Sequence, residues 1–267
     1  MTPPVPRPGS TPRPRVVLVA VVTALALAAP ACGAADPDRS RGVPRSERII
    51  VLAAASLTDA FGELGAAFEA THPDVSVTVS VAGSSSLVTA ILEGAPADVF
   101  ASASPTTMGQ VVDAGETAGP PRTLARNVVE IAVPEGNPAG VGGVADLARP
   151  ELVVGLCAPQ LPCGGLARRA LAQAGVTPSV DTEEPDVRAL LAKLEAGELD
   201  AGVVYRSDVA SAPGQVDGIE IPGAGDVVAT YLIATLRRSL HPQVAGAFVD
   251  AALSTTGQAT LRRWGFP

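Results

Sequence analysis

The chain has 267 residues, of which 47% are hydrophobic and only 3% aromatic, and its formal net charge is −8. This length suffices to bury the core of one large domain or of two lobes. The acidity argues against nucleic acid as a partner and against long-range attraction of an anion, so any anion site must depend on local dipoles.

The amino-terminal segment, residues 1–31, has the pattern of an export signal. It carries three arginines and no acidic residue, and an apolar run over 16–29 follows. This run is shorter than a transmembrane helix requires. A basic start, a short apolar stretch and small residues before a break are typical of a signal peptide. Loss of the three arginines on cleavage lowers the net charge from −8 to −11.

Cys32 follows small residues and precedes Gly33, which is typical of a bacterial lipoprotein cleavage site, although Ala29 stands where leucine is usual. We therefore predict lipidation at Cys32. Residues 32–47 are rich in Gly, Pro, Asp and Arg and lack apolar periodicity, which predicts a flexible tether.

Strand-like and helix-like segments alternate along the rest of the chain. Strands are predicted at 48–54, 75–81, 98–101, 127–133, 152–156, 201–205 and 227–236. Helices are predicted at 58–70, 85–93, 106–114, 164–174, 187–195, 242–254 and 257–263. Such alternation indicates an α/β protein with a largely parallel sheet.

Two of these strands differ in role from the others. The segments 127–133 and 227–236 enclose a self-contained set of β–α units about a hundred residues long. A chain that leaves one lobe, builds a second and returns forms two lobes joined by two crossings, which is a hinge. The alternative is a single continuous doubly wound sheet; we favour two lobes.

Ser56 and Ser84 lie at two similar junctions, each between an apolar strand and an amphipathic helix. The first N–H groups of a helix have no intrahelical acceptor and attract anions. Since neither junction contains Lys or Arg, the pair indicates a site for a fully deprotonated oxyanion. Taken alone, each serine is expected to be an ordinary N-cap, which is the commonest role of serine at such a position.

Cys157 and Cys163 flank a segment that contains two prolines. In an exported protein this pair favours a disulfide that stiffens a loop. A zinc site is disfavoured because the spacing is wrong and the two histidines, His72 and His241, lie in separate segments before prolines. The spacing is also not that of a Cys-x-x-Cys redox motif.

Several segments together resemble the periplasmic molybdate-binding proteins of ABC importers, and the resemblance covers nearly all of residues 48–267. The five that carry it, in chain order, are AAASLTDA at 53–60, AGSSSL at 82–87, EGAPADVF at 93–100, PDVR at 185–188 and GVVYRSD at 202–208, and the closing RWGF at 263–266 also fits.

The resemblance implies an α/β, two-lobed periplasmic binding protein fold of type II, with two parallel-rich sheets joined by a two-strand hinge. Lobe 1 is expected over 48–125 plus 237–267, and lobe 2 over 126–236 with the hinge crossings. The implied function is to capture molybdate or tungstate outside the cytoplasm and deliver it to an ABC transporter permease. A monomer with no catalytic cofactor, held at the membrane surface by lipid on Cys32, is expected.

Carried over position by position, the resemblance implies five oxyanion ligands. The hydroxyl and N–H groups of Ser56 and Ser84 are expected to donate from lobe 1. The backbone N–H groups of Cys163 and Val187 and the Tyr205 hydroxyl are expected to donate from lobe 2. The metal is then held only through its oxygens, with no direct side-chain ligand.

These residue types suit molybdate, a dianion whose four oxygens accept hydrogen bonds and cannot donate them. Hydroxyls can turn to donate and backbone N–H groups always do. Asp59 and Asp186 lie near the assigned positions but in first turns of helices, where carboxylates often only cap. Trp264 and Phe266 are assigned to packing.

The principal alternative is a receptor of the same fold for sulfate or another oxyanion. Sugar sites use aromatic platforms, which the low aromatic content disfavours. A hydrolase is disfavoured because the chain lacks a Gly-x-Ser-x-Gly elbow, and His72 and His241 are assigned to helix boundaries. A purely structural lipoprotein would not need two hydroxyl-bearing helix starts.

Overall fold

The computed structural model describes residues 47–267. The predicted signal peptide over 1–31, the lipidation at Cys32 and nearly all of the predicted tether lie outside the described residues. Within 47–267, none of the helices combines the length and the apolar character that crossing a membrane requires.

The first of two five-stranded sheets has the strand order β2-β1-β3-β10-β4. Strands β1, β2 and β3 are parallel, whereas β10 runs antiparallel to both of its neighbours. The strands are β1 (Glu47–Ala54), β2 (Val75–Ala82), β3 (Val99–Ser102), β4 (Arg122–Asn127) and β10 (Ala229–Thr235).

The second sheet has the same plan, with the order β7-β6-β8-β5-β9. Strands β7, β6 and β8 are parallel, and β5 is the antiparallel member. The strands are β5 (Val129–Pro134), β6 (Val154–Cys157), β7 (Thr182–Glu184), β8 (Ala201–Tyr205) and β9 (Val216–Ile219).

Helices cover both sheets, and together with each sheet they form a lobe. Those of the first lobe are α1 (Thr58–Thr71), α2 (Ser84–Leu92), α3 (Pro105–Asp113), α7 (Pro242–Leu253) and α8 (Thr255–Arg263). Those of the second lobe are α4 (Pro162–Gln173), α5 (Val187–Glu195) and α6 (Arg206–Ser211).

The sequence of α5 shows how helix and sheet fit together. Its buried residues Val187, Leu190, Leu191 and Leu194 recur at helical spacing and form one apolar face. This face lies against Gly202 of β8, where an added Cβ would lie 3.2 Å from Cδ1 of Leu190. The glycine therefore allows close approach of the helix, and the whole of β8 is buried, as expected for a strand covered on both faces.

The predicted two-lobed α/β fold with two parallel-rich sheets is confirmed. The chain leaves the first sheet after Asn127 and enters the second at Val129, and it returns between Ile219 and Ala229. The strand β10, which the expected lobe 2 range 126–236 contains, pairs with β3 and β4 in the first sheet. The second crossing therefore precedes this strand.

The predicted strands and helices lie within about two residues of the observed ones. Three short strands (β4, β7 and β9), the short helix α6 and three 3₁₀ segments were not predicted. β4 contains two arginines, β7 has three polar residues, and β9 includes an aspartate and a glycine. Such sequences lack apolar alternation, so pairing with a neighbouring strand makes them strands.

Gly164, in the first turn of α4, permits the closest approach between a helix and a loop in this region. A Cβ at this position would lie 2.0 Å from the backbone oxygen of Ala158. We expect Gly164→Ala to lower the free energy of unfolding by about 3 kcal/mol, because backbone atoms must shift. Urea denaturation measures this change.

Gly165→Ala is the matched control, because a Cβ at Gly165 finds its nearest neighbour, the backbone oxygen of Pro159, at an ordinary 3.5 Å. Since alanine favours a helix over glycine by about 1 kcal/mol, this control should be neutral or stabilising. Equal losses in the two variants would contradict the close-approach argument.

Candidate functional site

The five predicted ligand residues come together around one cavity. Ser56, Ser84, Cys163, Val187 and Tyr205 all line a space of about 20 Å³ between the two sheets. This is a small space, since a single water needs roughly 10–15 Å³ of it. The two lobes meet beside it, since an added Cβ on Gly83 would lie 3.0 Å from the backbone oxygen of Pro185.

Ser56 lies in a 3₁₀ turn, Ala55–Leu57, that joins β1 to α1. Its side chain does not cap α1, whose N-cap residue is Leu57. Instead, its Oγ lies 2.8 Å from the hydroxyl of Tyr231, and either oxygen can donate. The N-cap alternative is therefore wrong for this serine, and a tyrosine of the returning strand β10 holds its hydroxyl beside the cavity.

Ser84 is the first residue of α2, and its hydroxyl likewise caps no helix. Its Oγ accepts a hydrogen bond of 3.1 Å from the backbone N–H of Ala103, the residue that follows β3. An oxygen that accepts in this way keeps its own proton for donation. Ser84 is 2% exposed and lines the cavity, so its hydroxyl is shielded from bulk water.

Val187 is the first residue of α5, and the residue before it caps the helix without bonding the Val187 N–H. The Asp186 carboxylate caps the helix, with Oδ1 accepting from the N–H groups of Arg188 and Ala189 at 2.9 Å each. The predicted capping role of Asp186 is confirmed. The Val187 N–H does not bond to this carboxylate oxygen, and the first turn of a helix offers it no intrahelical acceptor.

Cys163 lies in the first turn of α4 and is bonded to Cys157, so the predicted disulfide is present. Cys157 ends β6, which means that the bond ties the strand to the helix that follows it. The backbone N–H of Cys163 lies in the turn whose donors lack intrahelical acceptors.

Tyr205 ends β8 and is 2% exposed, and its hydroxyl has no hydrogen-bond partner in the protein. Burial, and then the nearby charge of Asp208, raise the pKa of this hydroxyl and the nearby Tyr231 hydroxyl lowers it, so it stays protonated and able to donate. Its ring packs edge-on against that of Tyr231, with 5.9 Å between the centroids. A buried hydroxyl without an acceptor is costly and needs an explanation.

Asp208 is buried directly behind Tyr205. Its Oδ2 accepts from the Tyr205 N–H at 3.0 Å, whereas its Oδ1 has no partner. Burial raises the pKa of this carboxyl to about 7, although the Tyr205 N–H and the charge of Arg188 lower it and Asp186 raises it further. Asp208 therefore fixes the backbone of Tyr205.

No role for Tyr231 or Asp208 was predicted from the sequence. Tyr231 is 175 positions from Ser56, so no local spacing connects the two residues. Asp208 stands three residues after Tyr205, where a carboxylate can accept from the N–H of the N-cap residue, and in the structure it accepts from the Tyr205 N–H. This three-residue spacing was the only sequence signal that could have identified Asp208.

A larger groove of about 290 Å³ adjoins the cavity, shares Ala103, Leu161 and Pro162 with it, and is also lined by Arg169. None of the buried polar atoms that lack a partner belongs to its lining. Within 47–267, no group of three or more His, Cys, Asp or Glu residues could hold a metal ion. The small cavity is therefore the candidate site.

Two lobes with a small cavity between them, lined by hydroxyls and helix starts, are typical of a two-lobed solute-binding protein. The chain belongs to the family of bacterial extracellular solute-binding proteins, whose sequence model matches residues 49–267.

Relatives at the sequence level have molybdate in their names. The molybdate-binding proteins ModA of Mycobacterium tuberculosis and Mycobacterium bovis are each 40% identical over 238 residues, which is 88% of this chain and 91% of theirs. ModA of Escherichia coli is 31% identical over 82% of this chain and 88% of its own. The resemblance to molybdate-binding proteins is thereby confirmed.

Solved structures agree on the fold. The periplasmic molybdate-binding protein of Azotobacter vinelandii superposes with a TM-score of 0.71 at 18% identity, over 82% of this chain and 98% of its own. The sulfate-binding protein SubI of Mycobacterium tuberculosis gives 0.73 at 20% identity, over 82% and 86%. At these identities the comparison establishes the shared architecture alone.

The raised pKa of Asp208 predicts a pH-dependent contribution to stability. The folded state binds this proton more tightly than the unfolded chain, so the stabilisation is fully present below about pH 4 and is lost as pH rises through about 7. Asp208→Asn keeps an acceptor for the Tyr205 N–H but does not ionise. Between pH 5 and pH 8 we expect the variant to gain about 2 kcal/mol relative to the wild type.

Urea denaturation of both proteins at several pH values in this range tests the prediction. Parallel stability curves would show that Asp208 is ionised throughout and would contradict it.

Proposed function

We propose that the cavity binds molybdate or tungstate, and that Ser56, Ser84, Cys163, Val187 and Tyr205 are the ligands. The observation that carries this proposal is the Tyr205 hydroxyl, which is buried, protonated and without an acceptor in the protein. An oxyanion in the cavity supplies that acceptor. The names of the relatives identify molybdate as the oxyanion to test first.

The donors around the cavity match a fully deprotonated anion. The Ser84 oxygen already accepts from Ala103, and the Asp186 Oδ1 already accepts from two N–H groups. These two accepting atoms are thus occupied by N–H groups of the protein, although Asp186 itself lines the cavity, and hydroxyl protons and helix N–H groups remain. A pocket of this kind favours an anion without protons over one that must donate a hydrogen bond.

Neutral groups can hold a dianion because water is excluded and helix starts converge on it. Hydrogen bonds to a charged acceptor contribute about 1.5–3 kcal/mol each. Five ligand residues therefore support sub-micromolar binding, about −8 kcal/mol or better, after the costs of association and closure. Against sulfate, the cavity must discriminate by size, because the two anions share charge and shape.

Tyr205→Phe separates ligand binding from folding. Because the Tyr205 hydroxyl has no partner in the ligand-free protein, its removal should leave the free energy of unfolding unchanged or slightly higher. The affinity for molybdate should fall by about 10- to 100-fold. Calorimetric titration together with urea denaturation of the ligand-free protein measures both, and an unchanged affinity would remove Tyr205 from the site.

Ser84→Ala tests the other lobe, with Ser86→Ala as the control because Ser86 is exposed on the same helix. We expect tight one-to-one binding of molybdate and tungstate and none of sulfate, with a loss of at least about 10-fold in Ser84→Ala alone. Binding of sulfate only would keep the fold and change the anion. No binding of any oxyanion to the wild type would overturn the proposed function.

We also propose that the protein is exported, attached to the outer face of the cell membrane through lipid on Cys32, and delivers its anion as a monomer to an ABC permease. The family assignment and the lipoprotein-like cleavage sequence support this proposal. Metabolic labelling with a fatty acid should mark the wild type and leave Cys32→Ala unlabelled and released from membranes. An unlabelled, released wild type would contradict the anchor.

A further inference from the structure

We propose that the ion pair between Asp59 and Arg188 is a latch that holds the two lobes closed over the bound anion. This inference rests on the proposed function, since it concerns closure of the same site. Arg188 Nη2 donates to Asp59 Oδ2, and the two side chains are 25% and 34% exposed. Among the ion pairs of the described region, this one alone joins the two lobes; every other pair lies within one of them.

The position of the pair couples it to the ligands on both sides. Asp59 stands in the first turn of α1, three residues after Ser56. Arg188 immediately follows Val187, whose N–H is a proposed ligand on the second lobe. When both serine and valine reach one anion, the carboxylate and the guanidinium are brought together by the same movement.

Arg188 is held in place by its own lobe. Its Nη1 donates to Ser211 Oγ at 2.8 Å, and that hydroxyl in turn donates to the backbone oxygen of Asp208 at 2.7 Å. The Arg188 Nε is buried without a hydrogen-bond partner. The guanidinium is thus anchored by α6, and not all of its N–H groups have acceptors. A carboxylate from the other lobe can form a charge-assisted hydrogen bond with it.

The latch acts whenever the lobes are closed, with or without the anion, because the carboxylate and the guanidinium meet only in the closed form. Its loss should therefore accelerate release of the anion and leave capture nearly unchanged. Both residues lie outside the proposed ligand set, so they are positioning residues for closure. Because the pair is partly exposed to water, its effect should be moderate.

The test measures the rates at which radiolabelled molybdate binds to and dissociates from the wild type, Asp59→Asn, Arg188→Gln and the double variant. We expect each single variant to release molybdate about 10-fold faster, with association within about 2-fold of the wild type. The double variant should be no faster than the singles, since one interaction is lost in all three. Asp250→Asn makes the same chemical change in an Arg–Asp pair inside the first lobe and should match the wild type.

Dissociation from Asp59→Asn at the wild-type rate, or additive effects in the double variant, would overturn the latch while leaving molybdate binding intact. If the wild type retains no molybdate, the proposed function fails instead. Small-angle scattering of the ligand-free proteins then decides the latch separately. A larger radius of gyration in Asp59→Asn than in the wild type and Asp250→Asn supports it, and identical radii overturn it.

Discussion

The structure depends on one constraint, which is that a small cavity whose proposed ligands are neutral donors is assembled from both lobes, with Asp186 as the charged residue in its lining. None of the five proposed ligand residues carries a formal charge, so no single one of them can hold a dianion. The site therefore needs strand ends and helix starts to converge from two sheets. The two crossings of the chain make this convergence possible, because they place the Ser56 and Ser84 junctions opposite the starts of α4 and α5.

Around the cavity, a second set of residues fixes the donors. Tyr231 holds the Ser56 hydroxyl, the Ala103 N–H occupies the Ser84 oxygen, Asp186 takes up two of the N–H groups of α5, and Asp208 fixes the backbone of Tyr205. Each contact uses an accepting atom or fixes a donor. The cavity therefore keeps hydroxyl and N–H groups that can donate hydrogen bonds, although the chain as a whole carries a net negative charge.

Local sequence patterns predicted the α/β alternation, the two lobes and the Ser56 and Ser84 junctions, whereas Cys163, Val187 and Tyr205 were implied by the resemblance to molybdate-binding proteins. The N-cap expectation for Ser56 and Ser84 failed because their hydroxyls bond to residues distant in the chain, Tyr231 and Ala103. The role of Asp59 was also invisible, because its partner Arg188 is 129 positions away on the other lobe. Pairings of this kind arise only when the lobes meet.

The disulfide between Cys157 and Cys163 relates the geometry of the cavity to the redox state of the compartment in which the bond forms. It closes a short covalent ring around the turn that carries the Cys163 N–H, so this donor is restrained in the open protein as well as in the closed one. A restrained donor loses little conformational freedom when an anion arrives. Because such bonds form and persist in oxidising compartments, this restraint on the Cys163 N–H is expected only outside a reducing cytoplasm.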